Sequence, residues 1–133
     1  MMRVVLDTNV LIGVDRNLFF LYARQNRYEM IWSSFIEEEM RRVMRRIGWR
    51  PSKANTVISI TRSLATFVNY NLIEGGNYDV WLLDVDDHPI MKTALIGNAD
   101  YLVTNNTKDF PPKKRYAGIT MITPEAFLRL LET

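Results

Sequence analysis

Four stretches of this chain carry oxygen ligands suited to a hard metal ion. They are Asp7, the triplet Glu37-Glu38-Glu39, the run Asp84-Val85-Asp86-Asp87, and Asn105-Asn106-Thr107-Lys108-Asp109. Ions such as Mg2+ and Mn2+ prefer carboxylate, carbonyl and water oxygens. One or two such ions can activate water, neutralise a phosphate and stabilise a leaving oxygen, which is what phosphodiester hydrolysis needs. Acids gathered without a cation repel one another and their pKa values rise. A bound cation removes that cost, so acids that converge in the fold are ligand candidates.

Asp7 ends the run Val4-Val5-Leu6, which lacks polar alternation and reads as a strand buried on both faces. An acid at the carboxyl end of such a strand stands where open α/β sheets place ligands. Thr8 or Asn9 can cap the short helix that Val10, Leu11 and Ile12 begin. The stretch Asn105 to Asp109 also follows a buried run, Tyr101 to Val103, and is expected on the same edge. Asp86 and Asp87 precede a helix, where they could equally serve as caps.

Helix geometry separates the three glutamates. With about 100° per residue, the centre of the face made by Phe35, Ile36, Met40, Val43 and Ile47 lies about 60° from Glu39, about 100° from Glu37 and about 160° from Glu38. Glu37 and Glu38 have Arg41 and Arg42 four residues on, in the favourable order for surface ion pairs. Glu39 has Val43 at that spacing and is the acid expected to point into the protein.

The elements that must position these groups alternate between strand and helix. Helices are predicted at Asn17–Arg27, from Ser33 or Ser34 to Ile47 with Gly48 as the stop, from Pro51 through the stripe Val57, Ile60, Leu64, Phe67 and Val68, at Pro89–Ile96, and after Thr123-Pro124. Strands are predicted at Val4–Leu6, Tyr28–Trp32, Val80–Val85, Tyr101–Val103 and Ile119–Ile122, with a turn at Glu74–Asn77 and a basic loop from Pro111 to Gly118. This order implies an α/β three-layer sandwich, a largely parallel central sheet with helices on both faces. Residues 1–133 suit one domain.

Composition narrows the classes. Without cysteine there is no disulfide scaffold, thiol catalysis or cysteine zinc site, and a single histidine, His88, excludes sites needing several imidazoles. Lys and Arg number 17 against 15 Asp and Glu, a net charge of +2, so any nucleic-acid partner must be drawn by local patches. No stretch approaches the roughly 18 apolar residues of a membrane span, and no signal peptide opens the chain; a cytoplasmic location and no membrane partner are expected. No glycine-rich phosphate loop follows Leu6. Asn9 stands where an aspartyl-phosphate phosphatase would want its second Asp.

Taken together, these residues resemble the PIN-domain family of metal-dependent ribonucleases over nearly the whole chain. Val4-Val5-Leu6-Asp7-Thr8-Asn9-Val10-Leu11-Ile12 is similar to its first-strand motif, and Trp32-Ser33 with Glu39 to the segment of its second acid. Asp84-Val85-Asp86-Asp87-His88-Pro89-Ile90 with Ala94 is similar to the third-acid segment, which assigns Asp87. Ala99 through Pro111 is similar to the fourth, and Ile122-Thr123-Pro124-Glu125-Ala126-Phe127-Leu128 to the usual ending. Many members have Asp where this chain has Asn106; the fourth acid is then Asp109, or Asn106 supplies an amide oxygen instead.

The resemblance implies an endoribonuclease using Mg2+ or Mn2+ held by Asp7, Glu39, Asp87 and Asp109. Thr8 and Asn9 shape the pocket, while Thr104 or Asn106 holds the phosphate or a water of the ion's shell. It further implies an RNA substrate, an inhibiting antitoxin protein and a homodimer, as in small toxins of type II toxin–antitoxin pairs. The alternative is a PIN-like module with little or no activity that binds RNA or a partner protein. Arg42 and Arg46, within the band Arg41, Arg42, Arg45, Arg46, together with Lys108, Lys113 and Lys114, are candidates for RNA phosphates. Trp32, Trp49 and Trp81 are too scattered to name a stacking platform and are assigned to the core or a dimer surface.

Overall fold

The computed structural model describes residues 1–68, 88–108, 110–112, 115–116 and 118–133. The turn and strand expected within 74–85, Trp81, Asp84, Asp86, Asp87, Asp109, Lys113 and Lys114 lie outside the described residues.

The chain opens with β1 (Arg3–Leu6), the single turn α1 (Thr8–Leu11), α2 (Arg16–Arg24) and β2 (Glu29–Ser33). Then come α3 (Ser34–Arg46), α4 (Pro51–Leu64) and β3 (Thr66–Val68). The remaining described elements are α5 (His88–Ile96), β4 (Tyr101–Val103), β5 (Arg115–Tyr116), β6 (Ile119–Ile122) and α6 (Pro124–Glu132). The strands form one sheet in the order β3-β2-β1-β4-β6-β5. All its pairings are parallel except β5 with β6.

Val4, Val5 and Leu6 are all buried. Successive strand residues point to opposite faces, so both faces of β1 are covered, as its unbroken apolar run predicted. Phe127 of α6 seals one face. It stacks on Phe19 of α2 at 6.2 Å and meets Tyr28 edge-on at 5.6 Å and Tyr101 at 5.8 Å. On the other face α5 comes so close at Gly97 that a Cβ there would stand 2.5 Å from Ile31 Cγ2.

Local signals set several helix ends. Ser33 caps α3 by accepting from the Ile36 N–H at 3.4 Å. Gly48, at φ +83°, ends it: the Gly48 N–H donates to Arg45 O and the Trp49 N–H to Met44 O. That is the Schellman closure, and its left-handed residue favours glycine. Thr123 accepts from the Ala126 N–H at 3.3 Å, with Pro124 at the first position of α6.

Three expectations need correction. Phe67 and Val68 do not continue the α4 stripe. Ala65 is extended (ψ 151°), and Thr66-Phe67-Val68 pair with Ile31, Trp32 and Ser33 as an edge strand, leaving Phe67 56% exposed. Ladder bonds and a β-branched and aromatic run outweigh helical spacing there. Part of the supposed loop before Gly118 is the short strand β5. Ile47, placed on the buried face of α3, is its C-cap and 53% exposed, because the glycine closure turns the chain away at that point.

Candidate metal centre at the carboxyl edge of the sheet

The parallel register lines up a polar row just past the apolar strands. Val5 pairs with Ile31 and Leu6 with Val103, so Asp7, two residues past Val5 and one past Leu6, follows β1 beside Ser33 and Thr104. By the same count Thr123 stands next to Thr104. The ladder extends into the row: the Asp7 N–H donates to Val103 O at 2.9 Å and the Thr104 N–H to Ile122 O at 3.0 Å.

Asp7 is buried with both carboxylate oxygens engaged. The Thr8 N–H donates to Oδ1 at 2.7 Å and the Thr104 hydroxyl to Oδ2 at 2.7 Å. Thr104 Oγ1 in turn accepts from the Asn106 N–H at 2.9 Å. Asp7 is therefore itself the cap of α1, in place of Thr8 or Asn9. Thr8 is buried, and its hydroxyl has no hydrogen-bond partner among the described residues. Burial pushes the Asp7 carboxyl above its usual range; the bonds from Thr104 and Thr8 oppose that, and the charge of Glu39 adds to the rise. The charge of Glu39 is thus felt at Asp7.

Glu39 is not without a basic neighbour. Arg42, expected beside Glu38, lies 3.8 Å from Glu39, one turn along α3. Glu37 is as well covered as Glu39, with 20% against 18% of its side chain exposed. It turns to the opposite flank, held by Arg41 at 3.7 Å and by Arg62 of α4. Glu38 is exposed.

A further polar pair lies in the same region. Ser33 Oγ and Thr93 Oγ1 are 3.0 Å apart and wholly buried. Thr93 was not singled out from sequence, although it is a hydroxyl set among Ile90, Met91 and Ala94 of a buried helix face. Asn9 and Asn105 line a neighbouring cleft of about 120 Å3, with Asp15 and Glu125. Among the described residues no three His, Cys, Asp or Glu side chains converge. The described part of the site is thus Asp7 and Glu39 with Thr104, Ser33 and Thr93 around them; Arg46 and Lys108 are exposed.

The fold is thus α/β, with a buried acid at the end of its first strand and a glutamate-bearing helix after its second. A PIN-domain family model matches residues 3–108, and the chain belongs to the PIN-domain family, whose members are generally nucleases. Among solved structures, 9 chains match. One is a chain of the crystal structure of VapBC2 from Rickettsia felis bound to a DNA fragment from their promoter. It has a TM-score of 0.59 and 19% identity over 92% of this chain and 98% of that one. At that identity the likeness concerns the fold. No curated protein matches the chain.

Proposed function

We propose that this protein is a metal-dependent endoribonuclease that hydrolyses RNA phosphodiester bonds, and that it is the toxin of a type II toxin–antitoxin pair. The observation that carries this reading is the Asp7 carboxylate: buried, fixed at both oxygens, and raised further by the charge of a second acid, Glu39. A buried carboxylate that also feels a second negative charge is costly to keep ionised unless a cation compensates it. The unpartnered Thr8 hydroxyl beside them adds a buried polar atom that also wants a partner.

The donor set fits Mg2+ or Mn2+, with Asp7 and Glu39 as ligands and Asp87 and Asp109 as the further acids that the sequence motifs supply. When bound, such an ion supplies Lewis acidity and a stronger water nucleophile. The chain's own residues do the positioning. Thr104 and the Thr8 N–H lock Asp7 on a rigid strand end, Ser33 caps the helix that presents Glu39, and Arg42 holds the Glu39 carboxylate.

A homodimer and an antitoxin partner belong to the same proposal. Val14, in the turn before α2, is 96% exposed, and Leu18 and Leu21 on α2 are exposed as well. Together they offer apolar area suited to burial against a second copy. No helix among the described residues is long and apolar enough to cross a membrane; a cytoplasmic site of action is part of the proposal.

The test is calorimetry with Mn2+ on the wild type and on Asp7→Asn, paired with cleavage of mixed RNAs with and without chelator. Binding and cutting by the wild type alone, both abolished by chelator, support the reading. Cutting that survives excess chelator, or an ion that binds neither protein, overturns it. The alternative of an inactive binding module predicts RNA binding with no cutting at any metal concentration.

A further inference from the structure

Away from the carboxylates, a groove of about 490 Å3 runs between α2 and α4. Its cations are Arg16, Arg50 and Lys53. None of them forms an ion pair among the described residues, and no acidic residue among those described lines the groove. In a chain with a net charge of only +2, this is a local concentration of unneutralised positive charge.

Trp49 organises it. The Schellman closure at Gly48 throws Trp49 out between the helices, where Lys53 Nζ lies 4.0 Å and the Arg16 guanidinium carbon 5.1 Å from its ring. Cation–π contact tethers two long, like-charged side chains that would otherwise separate, which lowers the entropy cost of presenting both to an anion. On its α3 side Trp49 also borders a pocket of about 230 Å3 that carries Arg41 and Arg45. The groove is further lined by hydroxyl and amide groups, from Ser52, Thr56 and Asn17. It takes in the first turn of α4, whose cap position, Arg50, makes no side-chain capping bond. Free N–H groups and the positive end of a 14-residue helix therefore face the same space as the cations.

α2 starts just after α1 leaves the carboxyl edge at Asp7. Arg16 meets Trp49 and Lys53 at the start of both helices, and further along Phe20 lines the groove with Val57 and Ile60. The two helices thus run in the same sense, with the cations gathered at their starts.

We propose that the Arg16–Trp49–Lys53 cluster and Arg50, at the mouth of the α2–α4 groove, form a binding site for the phosphate backbone of single-stranded RNA, separate from the cutting centre. The choice of RNA rests on the nuclease reading above. An acidic protein segment is the competing occupant. The groove favours phosphates because hydroxyl, amide and helix N–H donors accompany its cations, a combination suited to closely spaced phosphate oxygens.

The test is fluorescence anisotropy of a labelled single-stranded oligouridine 20-mer in EDTA, where no metal-dependent cutting occurs, over a range of salt. Arg50→Ala/Lys53→Ala removes two exposed cations; Arg24→Ala/Arg129→Ala, which removes two exposed cations elsewhere, is the control for net charge. The double variant is expected to bind about tenfold more weakly at low salt. Its log–log salt slope should be shallower by about 0.7 for each lost phosphate contact. The control should match the wild type.

Equal affinity and slope in wild type and double variant, or an equal loss in the control, overturns the proposal. So does failure of the wild type to bind oligouridine while it binds labelled polyglutamate, which assigns the groove to an acidic protein segment. Because binding is read without metal, a nuclease reading that fails in the Mn2+ assays leaves this result standing, and a failed groove leaves those assays untouched.

Discussion

The hydroxyl of Thr104 donates to Oδ2 of Asp7 at 2.7 Å, joining residues far apart in sequence. They meet because β1 and β4 are parallel neighbours whose register carries one step past Leu6 and Val103. The bond opposes the effect of burial on Asp7 and fixes the direction in which its carboxylate points. Thr104→Val keeps the shape and removes the donor. It is expected to weaken Mn2+ affinity and RNA cleavage about 10- to 100-fold and to move the acid limb of the pH–rate profile to higher pH. Thr104→Ser should restore most of both. Calorimetry and initial rates across pH check this.

Asp7 also links stability to pH and to metal. Its carboxyl is raised from 3.8 in the folded chain, so the native state holds the proton more tightly than the unfolded state. The stability this contributes is fully present below the unfolded value and is lost as pH rises through the folded one. In EDTA, Asp7→Asn should therefore melt at or above the wild-type temperature near neutral pH, the gap closing toward pH 4. Adding Mn2+ should reverse the order. The wild type gains about 2.7 kcal/mol when free metal exceeds its Kd 100-fold, and the variant gains nothing. Thermal melts over pH and metal measure both effects.

Ser33 joins the helix that carries Glu39 to the buried Thr93 hydroxyl. Ser33→Ala removes the α3 cap and should cost about 1 kcal/mol, or ~4 °C in melting temperature. A fall in kcat larger than the stability loss explains would show that the cap also positions Glu39. Urea denaturation and cleavage kinetics on the same preparation separate the two.

Gly97 lets α5 reach the sheet. An Ala Cβ would stand 2.5 Å from Ile31 Cγ2 and 3.1 Å from Thr93 O. Gly97→Ala is expected to destabilise the fold by about 1–3 kcal/mol through overpacking, lowering the urea midpoint with an unchanged m-value.

Glu39→Gln should lower the pKa of Asp7, since one charge that raises it is gone. Metal-dependent cleavage should nonetheless fall by more than about 100-fold, beyond the usual cost of altering a residue that only supports a ligand. An NMR titration of the Asp7 carboxyl in EDTA, beside Mn2+-dependent rates, tests the pair of effects.

Much of this was legible in the chain itself because it is short-range physics. An unbroken, β-branched Val4-Val5-Leu6 run favours a strand covered on both sides, so an acid at its end is expected at the sheet's edge. The 100° step of a helix turned Glu38 outward, but it did not separate Glu39 from Glu37, which is as well covered. Gly48 and Thr123-Pro124 marked helix ends because a left-handed residue, a hydroxyl cap and a fixed φ act within one turn. Tertiary structure decided whatever depends on neighbours distant in sequence. Residues Thr66 to Val68 became a strand because Ile31 to Ser33 offered a ladder. Asp7 gained Thr104 through strand register, Glu37 gained Arg62 through the packing of α3 on α4, and Thr93 met Ser33 because Gly97 lets two backbones close in. Periodicity and caps are written in adjacent residues. Register and helix packing are set by the sum of many remote contacts, which no single window of sequence contains.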